Sequence, residues 1–234
     1  MDTCAKIEEL ELKFIDRSKS ARDVATLSLS DGQRKIVSAI DNNHYSVVKK
    51  TRCTGATTAA LAYLVANAAT PENKGKRFWF VDGSLNSLRT AFDDARIMAK
   101  ESFPAETTIQ VGINNAVSRT ITFPTGNIIC FSLPKFCGRH FDTIILDECA
   151  YYDFDTNFII SQLAEGGKVC YISTPRGLLG TYANLWSKPE SLIKHVSVSF
   201  ADTPWQGKAF AERMEEAYGG VTVKYVREIY GGFC

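Results

Sequence analysis

The sequence has no long apolar run and no excess of either charge. None of its hydrophobic stretches approaches the roughly 20 residues that a membrane-spanning helix needs, and residues 1–8 are too polar for the hydrophobic segment of a signal peptide. Lysine and arginine number 27 against 26 aspartates and glutamates, so the formal net charge is +1. This balance argues against non-specific electrostatic binding of nucleic acid over the whole surface, but it allows a local basic patch.

The sequence also lacks the usual patterns of a metal centre or a disulfide framework. Its seven cysteines form no CxxC pair and are odd in number, and its three histidines are scattered. Cys130 and Cys170 sit in apolar, strand-like contexts, which is typical of small buried side chains in a reducing compartment. We therefore predict a cytoplasmic protein with neither a zinc site nor disulfides.

The length and the composition favour an ordinary globular chain. Its 234 residues, 45 % of them hydrophobic, fit one large domain or one domain with a small subdomain. Strand-like and helix-like segments alternate, which indicates the α/β class, and residues 107–133 suggest an antiparallel excursion at a sheet edge. We divide the chain into an N-terminal helical extension (1–28), a core (29–200) and a C-terminal helical region (201–234).

Residues 46–58 combine a short strand, a basic loop and the first turn of a helix. Val47 and Val48 form the apolar centre of the strand, and a run of strong helix formers begins at about Ala56. A loop that enters a helix N-terminus presents free backbone N–H groups and partial positive charge, which is the physical basis of phosphate binding. The stretch predicts a phosphate loop, and an ordinary strand–helix junction is the alternative.

This loop departs from the usual Walker A pattern at two positions. The first glycine is missing and Ala56 stands where the lysine is expected, whereas Gly55 and Thr57 keep their places. Gly55 allows a close approach of the backbone, and the Thr57 hydroxyl can reach Mg²⁺. The missing positive charge can come from Lys50 or Arg52, which both lie within the loop.

Two further predicted strands end in polar side chains. Residues 144–146 form an unbroken apolar strand, typical of a parallel sheet, and Asp147 and Glu148 follow it. A Walker B element needs this arrangement, with Asp147 as the metal ligand and Glu148 as the base that orients the attacking water. Ser173 and Thr174 end the next strand, where hydroxyls can sense a terminal phosphate or the catalytic acid. An acidic or polar strand exit without function is the alternative in each case.

A glutamine precedes the phosphate loop in a predicted helix that Ser30 or Asp31 would cap. Gln33 lies in the first turn of this helix. Because its amide both donates and accepts hydrogen bonds, Gln33 is a candidate contact for an adenine edge. Ligands of open α/β sheets gather at the carboxyl ends of the strands, so all these elements are expected at one edge.

Taken in order, the motifs resemble the ATPase domain of the large terminase subunit, the DNA-packaging motor of tailed bacteriophages and herpes-like viruses. Terminases typically carry an arginine-containing Walker A, a DE-x-A Walker B and a Ser-Thr-Pro coupling motif. The matching segments are Gln33 and residues 50–58, 121–127, 138–142, 145–150 and 173–177, and the resemblance extends over about residues 27–233. It implies a RecA-like (ASCE) P-loop NTPase fold: a mostly parallel central sheet flanked by helices, with an antiparallel edge and a small helical lid subdomain.

The resemblance also assigns roles to single residues. The nucleotide would be held by Gln33, Lys50, Arg52, Cys53, Thr54, Gly55, Ala56, Thr57, Thr58 and Asp147. Thr57 and Asp147 would hold Mg²⁺, and Glu148 would activate the water. Some terminases place their phosphate-binding lysine at the front of the loop. Lys50 is therefore expected to provide the positive charge that is missing at Ala56, with support from Arg52.

The remaining assignments concern coupling and assembly. Ser173, Thr174 and Pro175 would couple hydrolysis to movement, and Arg139 and Arg119 are candidates for an arginine finger that acts in trans. The resemblance implies ATP and Mg²⁺ as cofactors. It implies double-stranded DNA, a homo-oligomeric ring, a portal protein and a small terminase subunit as partners, and no membrane. The site of action would be the host cytoplasm, or the nucleus for a herpes-like virus, with transient docking at the procapsid portal.

Two other functions fit parts of the pattern. A helicase-like ATPase would need a second RecA-like domain, for which this chain has no space. A nucleotide-binding assembly module that has lost hydrolysis is suggested by Ala56 at the lysine position. The RNase H-like nuclease domain that normally follows in terminases likewise has no room in these 234 residues.

Overall fold

The computed structural model describes residues 2–15, 24–103, 110–115, 118–135, 140–205 and 208–233, with the backbone alone at 15, 110–115 and 208. The helices are α1 (Thr3–Glu9), α2 (Asp31–Asn42), α3 (Ala56–Ala69), α4 (Leu85–Ser102), α5 (Thr156–Ser161), α6 (Thr181–Trp186), α7 (Lys208–Ala217) and α8 (Val223–Tyr230). The strands are β1 (Lys13–Ile15), β2 (Val24–Thr26), β3 (Tyr45–Lys50), β4 (Arg77–Val81), β5 (Gln110–Asn115), β6 (Ser118–Thr122), β7 (Ile128–Ser132), β8 (Phe141–Leu146), β9 (Leu163–Ser173) and β10 (Lys194–Val198).

The main sheet has eight strands in the described ranges, in the order β10-β3-β9-β8-β4-β7-β6-β5. The strands from β10 to β7 run parallel, and β6 and β5 continue the sheet in antiparallel pairing. The predicted α/β class, with a mostly parallel sheet and an antiparallel edge, is therefore confirmed. Because β3, β9, β8 and β4 are neighbours, their carboxyl ends meet at the centre of one sheet edge.

Helices cover both faces of this sheet, as a parallel sheet requires. Successive residues of β4 alternate between two cores, with Phe78 and Phe80 on the side of α1–α4 and Trp79 and Val81 on the side of α5 and α6. Helix α3 is apolar around most of its circumference and is almost wholly buried between the sheet and its neighbouring helices. The helix that follows the loop is thus fixed rigidly against the sheet.

Local signals define the ends of the two helices that flank the loop. Helix α2 begins at a capping box, in which Ser30 Oγ accepts from Gln33 N (3.2 Å) and Gln33 Oε1 accepts from Ser30 N (3.0 Å). This settles the predicted cap in favour of Ser30. Helix α3 begins after Gly55, which adopts a positive φ of 72° and makes no side-chain cap.

The two ends of the chain differ in how far they match the prediction. Residues 1–28 contain the expected helix α1, but β1 and β2 pair as an antiparallel two-stranded sheet, and β1 lies against α4. The C-terminal helices are present: α7 and α8 share a small cluster of Ala211, Tyr225 and Ile229. Helix α5 was not predicted.

Within the described ranges, none of the helices combines the length and the apolar character needed to cross a bilayer.

Candidate nucleotide-binding site

The predicted motifs converge at the carboxyl ends of the central strands. Lys50 ends β3, Asp147 and Glu148 follow β8, and Ser173 ends β9. An open cleft of about 590 Å³ lies beside them, lined on one side by the loop of residues 50–58 and on the other by α4. Clefts of this size at the switch point of an α/β sheet are typical of ligand sites.

The loop presents its backbone to this cleft. Cys53 and Gly55 both have positive φ angles, 58° and 72°, so the chain turns sharply before it enters α3. Since no side chain caps α3, the N–H groups of its first turn are available to an anion. A Cβ at position 55 would lie 2.6 Å from Gln33 Nε2, so only glycine fits here without displacing Gln33.

Lys50 reaches the predicted catalytic carboxylate. Its side chain is buried, with 4 % exposed, and Nζ donates to Glu148 Oε1 (2.5 Å) and Thr174 Oγ1 (3.3 Å). Burial alone would lower the pKa of Lys50, but the carboxylates of Glu148 and Asp147 outweigh this effect and raise it. The lysine is therefore a fixed, dehydrated positive charge within the cleft.

Thr57 and Asp147 lie together at the predicted metal position. Thr57 Oγ1 donates to Asp147 Oδ2 at 2.5 Å, so a hydroxyl and a carboxylate oxygen lie side by side. Burial, reinforced by the charge of Glu148, raises the pKa of Asp147 to about 6, while Lys50 and Thr57 oppose the rise. A hydroxyl oxygen beside a buried carboxylate oxygen suits a small hard cation such as Mg²⁺.

Glu148 holds a strained backbone conformation and touches the predicted coupling motif. Its φ and ψ are 48° and 35°, in the left-handed region that non-glycine residues rarely occupy. Asp147 Oδ1 accepts from Glu148 N (3.0 Å), and Glu148 Oε2 accepts from Thr174 N (3.4 Å) and lies 3.5 Å from Ser173 Oγ. Pro175 follows, buried. The strand tip of β9 thus contacts the carboxylate directly.

A third carboxylate, which is buried and which the sequence analysis missed, lines the same cleft. Asp82 follows β4 and accepts a hydrogen bond from Ser84 N (2.7 Å). Burial raises its pKa to about 7, and the charges of Asp147 and Glu148 add to the rise. The strand-tip argument that identified Asp147 applies equally to Asp82, because β4 adjoins β8.

Replacement of Asp82 by Asn is expected to stabilise the protein at alkaline pH. Folding raises the pKa of this carboxyl from 3.8 to about 7, so the parent loses stability as the pH rises through that window and keeps it at lower pH. The amide can still accept from Ser84 N, so the variant should be more stable at pH 8 by up to about 4 kcal/mol.

Urea unfolding of the parent and of Asp82→Asn between pH 5 and pH 8 measures this difference. The gap in the free energy of unfolding should widen with pH. A constant gap across the range would contradict the assigned titration of Asp82.

Arg52 lies at the loop but faces the C-terminal helix. Its guanidinium lies 3.5 Å from Glu228 Oε2, and Arg52 N donates to the Glu228 carbonyl (2.8 Å). Tyr151 OH also donates to Glu228 Oε1 (3.4 Å), and Arg227 donates to the carbonyl of Arg176 (2.6 Å). Helix α8 thus joins the loop to the segment after β9, a set of contacts that the sequence did not indicate.

Gln33 supports the loop from the other side. Besides its part in the capping box, its Nε2 donates to the Gly55 carbonyl (3.2 Å). Trp205 lies beside it, and its Nε1 donates to the Cys53 carbonyl (2.9 Å). Within the predicted C-terminal helical region, Trp205 lies in the turn before α7.

Of the two arginine-finger candidates, the structure describes only one. Arg139 lies outside the described residues. Arg119 lies on β6, where its guanidinium stacks over Phe92 at 5.1 Å, and it is not among the described residues that line the cleft. An arginine acting in trans stays a prediction.

The comparisons with known proteins identify similar structures. No model of a known protein family matches the sequence, and no curated protein matches it either. Among solved structures, the chain is similar to the large terminase of bacteriophage HK97 (TM-score 0.75, 14 % identity, covering 100 % of this chain and 56 % of that one). It is also similar to the large terminase of a thermophilic bacteriophage in complex with ADP (TM-score 0.68, 18 % identity, 88 % of this chain and 54 % of that one).

A third structure contains only the corresponding domain. The large terminase ATPase domain of Thermus phage P74-26 matches with a TM-score of 0.63 at 15 % identity, over 84 % of this chain and 92 % of that one. The chain therefore spans about half the length of the first two large terminases and nearly all of the isolated domain. The fold implied by the motifs is confirmed: the chain has the RecA-like fold of the ATPase domains of phage large terminases.

Proposed function

We propose that this chain is an ATP-hydrolysing motor domain that drives double-stranded DNA into a viral procapsid. The observation that carries the proposal is the meeting of Lys50, Thr57, Asp147, Glu148 and Thr174 at one edge of the sheet, with contacts of 2.5–3.3 Å between Lys50 and both Glu148 and Thr174 and between Thr57 and Asp147. These five residues, which carry the chemistry that phosphoryl transfer needs, thus come from three separate segments of the chain: 50–58, 147–148 and the end of β9. The large terminase of the thermophilic bacteriophage, which shares the fold, has been solved with ADP and with ATP-gamma-S.

In this proposal the water oxygen forms a bond to the terminal phosphorus and Glu148 accepts a proton from that water, while the bond between the phosphorus and the bridging oxygen breaks and ADP leaves. Triphosphate oxygens compete with Glu148 for the Lys50 ammonium, so the arrival of ATP releases the carboxylate for its role as base. The amides at the start of α3 bind the phosphate oxygens. Positioning and electrostatic stabilisation then supply most of the rate enhancement.

Thr57 and Asp147 are the residues that would hold Mg²⁺. Their adjacent hydroxyl and carboxylate oxygens fit the ligand preference of that ion. When bound, the ion neutralises charge on the phosphate oxygens. Asp147 also keeps Glu148 in place, through its hydrogen bond to Glu148 N.

Movement would follow from the contact between Glu148 and the strand tip of β9. Ser173 and Thr174 touch the carboxylate that changes partner during turnover, and α8 is tied to the next residues through Arg176. We propose DNA, further copies of the chain in a ring, a portal protein and a small terminase subunit as partners. The site of action in this proposal is the host cytoplasm, or the nucleus for a herpes-like virus.

Phosphate release from ATP and Mg²⁺, measured over a range of protein concentrations with and without double-stranded DNA, tests the proposal. The expected result is turnover whose rate per molecule rises with concentration, because an arginine acting in trans is supplied by a neighbour. DNA is expected to raise the rate further. Tight binding of ATP without any turnover, even in concentrated solution with DNA, would contradict the motor.

One observation favours a second candidate, a nucleotide-binding assembly module without hydrolysis. Ala56 occupies the usual lysine position, and the replacing Lys50 is bound to Glu148. This module would associate in response to ATP and release no phosphate. The same measurement, combined with the sedimentation rate with and without ATP, separates the two functions.

A further inference from the structure

Asp82 and Asp147 lie side by side at the ends of two neighbouring strands. Val81 and Leu146 are register partners where β4 and β8 end, and Asp147 N donates to the Val81 carbonyl at 2.9 Å. Adjacent strands of a sheet are about 4.8 Å apart, so the aspartates that follow these two partners start from adjacent positions. The parallel register thus brings two acidic residues together at the edge of the sheet.

The two aspartates also lie on the same face of the sheet. Val81 and Leu146 both belong to the core on the side of α5 and α6. Because successive side chains of a strand alternate between the two faces, Asp82 and Asp147 lie on the opposite face, where α3 carries Thr57. The observed contacts agree with this placement: Asp147 Oδ2 accepts from Thr57 Oγ1 at 2.5 Å, and all three residues line one cleft.

One oxygen of Asp82 has no hydrogen-bond donor among the residues that the structure describes. Oδ1 accepts from Ser84 N at 2.7 Å, which fixes the carboxylate, whereas none of the described groups donates to Oδ2. Only 5 % of Asp82 is exposed. A buried carboxylate oxygen without a donor destabilises the fold, and a bound cation would remove that cost.

The charges around Asp82 also favour a cation. The ammonium of Lys50 is hydrogen-bonded to Glu148. Within the described ranges, the hydrogen-bond donors to Asp82 and Asp147 are uncharged, namely two backbone amides and one hydroxyl. Two carboxylates at adjacent positions repel each other, and a divalent ion held by both would offset the two charges together.

We propose that Asp82 is a second carboxylate of the Mg²⁺ site, in which its free oxygen receives the ion or one of the waters bound to the ion. The inference rests on the proposed nucleotide-binding function, and it adds to Thr57 and Asp147 a residue that none of the motifs contains. Mg²⁺ keeps several waters in proteins and is held by one or two carboxylates together with substrate phosphates. Two carboxylates at adjacent strand ends beside the phosphate loop suit that preference.

Calorimetric titration with ADP, in MgCl₂ and in EDTA, tests the inference. The measurement is made at pH 8, above the pKa of about 7 of Asp82, and it gives the factor by which Mg²⁺ tightens ADP binding. Asp82→Asn should reduce this factor by about tenfold to a hundredfold, the usual loss when a group that supports a metal site is removed. ADP binding in EDTA should stay the same or tighten, because a negative charge beside the phosphates is gone.

Electron paramagnetic resonance gives the affinity of the ion directly. With Mn²⁺ in place of Mg²⁺ and with ADP in excess, the signal of free Mn²⁺ should show a loss of affinity by the same factor in Asp82→Asn. Asp93→Asn is the control, because Asp93 is an exposed aspartate of α4 that lies 3.7 Å from Arg96 Nε. It removes an equal charge and should leave both measurements unchanged, since exposed charges are screened by salt.

Four results would overturn the inference. If the Mg²⁺ factor is unchanged in Asp82→Asn, Asp82 takes no part in the metal site, and Thr57 and Asp147 remain its proposed residues. If ADP binding weakens equally with and without Mg²⁺, Asp82 only supports the fold. An equal loss in Asp93→Asn would show that total charge is responsible. If the parent binds no ADP in either condition, the proposed function fails, and the inference fails with it.

Discussion

Glu148→Gln is expected to reduce ATP turnover by about a hundredfold to ten-thousandfold, the usual effect of removing a general base. The amide has the size of the carboxylate and can still accept from Thr174 N, but it cannot take a proton from water. ATP binding should persist or tighten, because Lys50 no longer has Glu148 as its partner and is free for the phosphates.

Initial rates of phosphate release and calorimetric titration with ATP, on the same preparations, separate chemistry from binding. Glu165→Gln is a matched control, because Glu165 is an exposed glutamate in β9 before its buried stretch. Circular dichroism verifies that both variants fold. Undiminished turnover in Glu148→Gln would show that Glu148 is not the general base, and it would overturn the proposed mechanism.

Lys50→Ala is expected to abolish turnover and to weaken ATP binding by about tenfold or more. Ala56 offers no charge at the usual lysine position, and Arg52 faces Glu228. The variant would therefore present Asp147 and Glu148 to a triphosphate without the lysine that offsets them. A loss of about a hundredfold or more in turnover is typical when such a stabilising charge is removed.

The neighbouring lysine provides the control. Lys49 belongs to the same strand, but its ammonium lies over the ring of Trp186 at 5.0 Å, on the opposite face of the sheet. Lys49→Ala removes an equal charge one residue away and should keep both turnover and ATP affinity. If Lys49→Ala and Lys50→Ala lose turnover equally, then the total positive charge near the site, rather than the specific position of Lys50, supports ATP binding and turnover.

Much of the fold followed from patterns that are local in the sequence. The apolar stretches of β3 and β8, the capping residue Ser30 and the start of α3 at Ala56 all carry short-range signals, and the sequence placed each of them within about three residues. The convergence of the strand tips followed because parallel strands share a carboxyl edge. The short strands β1 and β2 carry no comparable signal, since each has only three residues.

The contacts within the site were harder to predict. That Lys50 pairs with Glu148 depends on the positions of two strands separated in the sheet by β9, which no local pattern specifies. Gln33 was identified by its position before the loop, but its bond to Gly55 requires the packing of α2. Trp205 and Glu228 come from the far end of the chain, and their contacts with the loop depend on the path after β10.

The ion pair between the buried Lys50 and the part-exposed Glu148 also bears on which anions the proposed site is expected to accept. The lysine has already lost its water during folding, so an incoming anion pays no further cost to dehydrate that ammonium, but it must displace a carboxylate held at 2.5 Å. A singly charged ion such as chloride is expected to gain too little to make that exchange, because removing one partner of a dehydrated ion pair is costly. A polyphosphate brings several negative oxygens to the same position, and the amides at the start of α3 receive the others. Under the proposed function, the ion pair is therefore expected to favour multiply charged ligands over the abundant small anions of a cell.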